Sequence, residues 1–90
     1  MGDTTGLPAS AAVVRQLRHA LQLSQAALAE RANVDRVEII AIEKGRNMAT
    51  SDRMRDGLAR AFNVRIEDLR RALAGELSPA DLLALRRVAD

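Results

Sequence analysis

Residues 34–46 read "VDRVEIIAIEKGR", and Asn47 follows. A helix over this stretch buries Ile39 and Ile42 together with Val34. It turns Arg36, Val37, Ile40, Ala41 and Lys44 outward, at spacings of one, four, five and eight residues. Cationic ends therefore flank an apolar middle. Guanidinium and ammonium groups so placed suit a polyanion: Arg36 can reach a guanine edge or a phosphate, and Lys44, Arg46 and Asn47 stand where phosphate contacts would. Val37, Ile40 and Ala41 suit thymine methyl groups. The alternative is that, as an exposed apolar patch, they dock a protein surface. Glu38 has two open roles, accepting from a cytosine amino group or closing a capping box with Asp35 at the helix start.

Other chemistries find little here. His19 is the single histidine and cysteine is absent, so no thiolate site exists and no second imidazole is at hand to share a metal. A surface histidine is the simpler role. No Ser-His-Asp set can be assembled and no glycine loop cradles a phosphate, which predicts a protein that is not an enzyme and needs no cofactor or metal. Fourteen Lys and Arg against twelve Asp and Glu leave a net charge of +2, which by itself establishes no polyanion partner. What counts is whether the cations share a surface. Arg15, Arg53 and Arg55 serve either as phosphate contacts or as solvated helix faces.

The elements that must position these residues are helices. Ninety residues suit one small domain, and with Phe62 as the only aromatic the core must come from Leu, Ile, Val, Ala and Met, which favours thin, close-packed helices. "MGDTTGLPAS" has no periodicity, which predicts a flexible leader over residues 1–9. From Ser10, Val13, Val14, Leu17 and Leu21 define a first helix. Ser24 caps a short second helix with Leu28 and Ala32 inward, and Asn33 supplies a left-handed turn. Asp35 caps the third, which Gly45 closes. "RNMATS" is a loop. Thr50 or Ser51 starts a fourth helix with Met54, Leu58, Ala61 and Phe62 inward, where Gly57 is a weak spot worth about 1 kcal/mol relative to Ala. A fifth places Ile66, Leu69 and Leu73 inward and closes at Gly75. Ser78, Pro79 and Asp81 then start a last helix with a stripe of Leu82, Leu85, Val88 and Ala89.

From about Val14 to Leu73 the chain resembles the lambda-repressor-like, or XRE-family, helix-turn-helix domain. "LSQAALAERANV", the core spacing of Val34, Ile39 and Ile42, "IEKG" and "LARAFNVRIEDL" carry the resemblance, which covers about two-thirds of the sequence. It implies an all-α, compact five-helix fold over residues 10–75, to which the C-terminal helix expected over 76–90 is an addition. It further implies that Arg18 and Glu43 form a semi-buried ion pair, that Gln25 faces a phosphate, and that the third helix enters the major groove. The apolar outward face of that helix departs from the family's usual Gln, Ser, Arg or Asn. Asp52 and Arg55 stand where the fourth helix is usually apolar, so the loop before it takes its own path, with Met48 inward.

These expectations converge on a bacterial or phage transcriptional regulator that binds double-stranded DNA. The alternative is a module whose Val37, Ile40 and Ala41 dock a toxin, an antirepressor or a sigma-factor segment. The last helix either packs on its own domain or makes a homodimer through Leu82, Leu85 and Val88, suiting a palindromic operator. The domains use up the sequence without an effector segment, which predicts repression by promoter occlusion. No apolar run spans a bilayer and no signal pattern opens the chain, which predicts a soluble, cytoplasmic protein, nucleoid-associated when bound.

Overall fold

A computed structural model describes residues 7–47, 49 and 51–87. Six helices follow in order: α1 (Ala9–Ala20), α2 (Gln25–Ala32), α3 (Arg36–Glu43), α4 (Asp52–Phe62), α5 (Ile66–Leu73) and α6 (Pro79–Ala84), with no strand among the described residues. α2 packs on α3 and α4, while α1 packs on α3, α5 and α6. Phe62 sits at the centre with Leu17, Leu28, Ile39, Ile42, Met54, Leu58 and Leu69, every one fully buried.

The helix ends explain how so short a chain turns so often. α2 and α4 both stop at an Asn followed by Val. Asn33 and Asn63 take the same left-handed backbone, φ 59° and ψ 47°. The amide of Val34 then reaches back to the Ala29 carbonyl and that of Val64 to the Ala59 carbonyl, each at 3.0 Å. This reversal satisfies the last carbonyls and returns a β-branched side chain towards the core. α3 ends likewise at Gly45, φ 78°, with the Arg46 amide 2.8 Å from the Ala41 carbonyl. Ser24, Ser51 and Ser78 cap α2, α4 and α6 through their hydroxyls.

Three particulars differ from the sequence expectation. The first helix starts at Ala9, a residue before Ser10, and Leu7 and Pro8 lie against Gly45 at the end of α3; residues 1–6 of the expected leader lie outside the described residues. Gly57 is a packing requirement, not a weak spot. A β-carbon there would collide with the Ala32 carbonyl oxygen, because α2 and α4 approach through it. In the loop before α4, Ala49 is 1% exposed and left-handed at φ 55°, and the expectation of an inward Met48 lies outside the described residues. Finally, α6 ends at Ala84, and Leu85 is its C-cap, beyond the last helical residue. Leu82 is fully buried against the chain's own core, Leu85 is exposed, and Val88 lies outside the described residues. Leu82 thus packs inside the fold.

Candidate nucleic-acid interface

The short turn between α2 and α3 fixes which side of α3 is covered. With Ile39 and Ile42 fully buried, Arg36, Val37 and Lys44 project into solvent, and Ile40 and Ala41 are half-buried between the two faces. Val37 is 73% exposed, a large share for a β-branched apolar residue. Arg46 is exposed just beyond the helix. Among the described residues no carboxylate pairs with Arg36, Lys44 or Arg46. Three cations without a carboxylate partner among the described residues therefore stand at the two ends of α3.

Both acidic side chains of α3 are answered from other helices. Glu43, at the end of α3, receives Arg18 of α1 in a two-pronged contact, with Nε 2.6 Å from Oε2 and Nη2 3.0 Å from Oε1. A third guanidinium nitrogen donates to the Leu23 carbonyl at 3.0 Å. The side chains are only 12% and 7% exposed, so this is the semi-buried pair that the sequence resemblance implied. Hydrogen bonding to Glu43 raises the Arg18 pKa, burial opposes the rise, and the Coulomb attraction of Glu43 adds to it. Glu38, in the first turn, accepts the Asp35 amide at 3.0 Å and closes the start of α3. Its oxygens also lie 3.0 and 3.3 Å from Nη2 of Arg53 on α4.

The remaining candidates divide. Gln25 is half-buried and donates to Glu43 Oε1 at 3.2 Å, so its side chain is drawn into the Arg18–Glu43 contact. Asn47 accepts the Ala49 amide at 2.9 Å and is thereby engaged in shaping the loop. Glu38 is engaged at the cap and with Arg53. The sequence pattern left Arg53 undecided. Its link to Glu38 joins residues fifteen apart on separate helices, and no local spacing rule reports such a contact. His19 is exposed beside Arg18, and the described residues hold no group of His, Asp and Glu that could bind a metal.

An all-helical core whose second and third helices meet at a tight left-handed turn, with the third presenting a cation-edged face, defines a helix-turn-helix protein. Residues 12–77 match a family model described as a helix-turn-helix domain, and the chain belongs to that family, in its Cro/XRE-like form. No match was found among curated proteins or among solved structures. The domain type is that of DNA-binding regulators, a typically non-enzymatic class. No helix of the described residues is long and apolar enough to cross a membrane.

Proposed function

We propose that the protein is a sequence-specific transcriptional regulator, acting as a repressor, that places α3 in the major groove of a palindromic operator as a homodimer. The observation that carries this reading is the unopposed set Arg36, Lys44 and Arg46 around an outward-facing α3. Arg36, at the first position of α3, lies where recognition helices meet base edges, and Lys44 and Arg46 flank it as phosphate contacts do. Val37 and Ala41 add apolar contact for thymine methyl groups. One α3 reads few bases, so two copies on half-sites about one helical turn apart give the needed discrimination. With Leu82 internal, Leu85 and the residues after it are what remains of the expected dimer contact.

Selection of bound sequences from a random duplex pool at about 150 mM salt tests this, since non-specific phosphate attraction is then weakened. An enriched palindrome with thymines opposite Val37 and Ala41 is the expected result. The 73% exposure of Val37 favours a second reading, in which Val37, Ile40 and Ala41 dock a protein partner such as a toxin, an antirepressor or a sigma-factor segment. A pool without enrichment overturns the DNA reading in its favour, and a pull-down with Ile40→Asp as control then follows.

A further inference from the structure

Arg53 stands on the first turn of α4, outside the helix-turn-helix unit, yet it touches that unit twice. Nη2 holds both oxygens of Glu38 on α3, and Nη1 lies 3.4 Å from the carbonyl of Asn33, the left-handed residue of the α2–α3 turn. One guanidinium thus joins α4, the turn and the start of α3. The Arg53 and Glu38 side chains are 64% and 29% exposed, and an ion pair so wet contributes little to stability. Its effect on charge is larger. Glu38 is an acidic residue in the turn of α3 that carries Arg36 and Val37, the face that would meet a polyanion. Asp35, the other carboxylate there, is the N-cap, where the helix amides favour its charge.

We propose that Arg53 is a positioning residue for DNA binding: it holds the Glu38 carboxylate at the helix cap and cancels its charge, so that the leading end of α3 approaches phosphates without repulsion. This rests on the DNA-binding reading above. Arg53 acts through Glu38, not by touching a phosphate itself.

A double-mutant cycle separates the two. Glu38→Gln removes the charge and keeps an acceptor for the Asp35 amide, since Gln also closes capping boxes. With the selected operator, Arg53→Ala is expected to weaken binding roughly fivefold to tenfold at low salt, as an uncompensated like charge does at a polar interface. In the Glu38→Gln background the same change should cost nothing, with both melting temperatures close to that of the parent. Arg53→Lys, which keeps the charge but not the fork, should fall between. An equal loss in both backgrounds, with the salt slope reduced by about one, makes Arg53 a phosphate ligand and overturns the proposal. Loss of folding in Arg53→Ala overturns it too, because the contact is then structural. A parent protein that selects no sequence removes the DNA reading itself, whereas a selective parent with an additive cycle removes only the role of Arg53.

Discussion

Arg36 and Arg46 carry the same charge in different settings. Arg36 projects from the first turn of α3, and Arg46 lies beyond its Gly45 terminus. Arg36→Ala should weaken specific binding by about 1–3 kcal/mol and relax the preference at one base pair. Arg46→Ala should weaken specific and random duplexes alike and lower the salt slope by about one. Titrations of both variants against operator and random DNA at several salt concentrations check this, and equal effects on every sequence would sink the division of roles. Glu43 is a different case. Glu43→Ala strands Arg18 in a site where the pair is nearly enclosed, and should destabilise the protein by about 3 kcal/mol in urea denaturation. Replacing both partners by apolar residues should recover much of that loss. Because the Arg18 pKa is raised, its contribution is complete below the unfolded-state value and fades only as pH climbs through the folded one. That window is strongly alkaline, so Arg18 adds no pH dependence near neutrality.

Among the elements, α2 and α4 bring their backbones together at Ala32 and Gly57. Helix propensity alone says that Gly57→Ala stabilises α4 by about 1 kcal/mol. The collision with the Ala32 carbonyl reverses the sign, since overpacking costs roughly 1–3 kcal/mol and a backbone clash more. The expected outcome is a lower denaturation midpoint. A higher one would mean that α2 and α4 separate at no cost. This misjudgement in the sequence reading has a clear cause: periodicity locates an inward face but does not report the distance to what it faces. Most helix starts and stops, by contrast, are legible. Ser24, Asn33, Asp35, Gly45 and Ser78 act through bonds to amides and carbonyls a few residues away, so local chemistry suffices to place them.

For the whole molecule, α6 is part of the single core. Leu82 is fully buried and Leu85 is 46% exposed. Leu82→Asp should destabilise the fold by more than about 3 kcal/mol, because an unpaired carboxylate enters the core. Leu85→Asp should change stability by no more than about 0.5 kcal/mol. In sedimentation at micromolar concentration, Leu85→Asp should shift the proposed homodimer towards monomer. An unchanged profile, or a parent that is already monomeric, would remove Leu85 from the interface.

What the sequence determined by itself is the all-helical architecture, the helix-turn-helix segment and the outward placing of Arg36, Val37 and Lys44, because helix period and capping are properties of neighbouring residues; Ile40 and Ala41, also expected outward, are half-buried. Its net charge of +2 said little about a binding surface. The family resemblance implied that Arg18 meets Glu43; only the tertiary structure decided that Glu38 is answered as well. Arg18 from α1 meets Glu43 and Arg53 from α4 meets Glu38, so both carboxylates of α3 are neutralised from outside it and its cations stand unopposed. Tertiary packing also took Leu82 inward and made Gly57 indispensable. These outcomes depend on which helices come within a few ångströms of one another, and separations of fifteen to twenty-five residues along the chain carry no local signal of that distance.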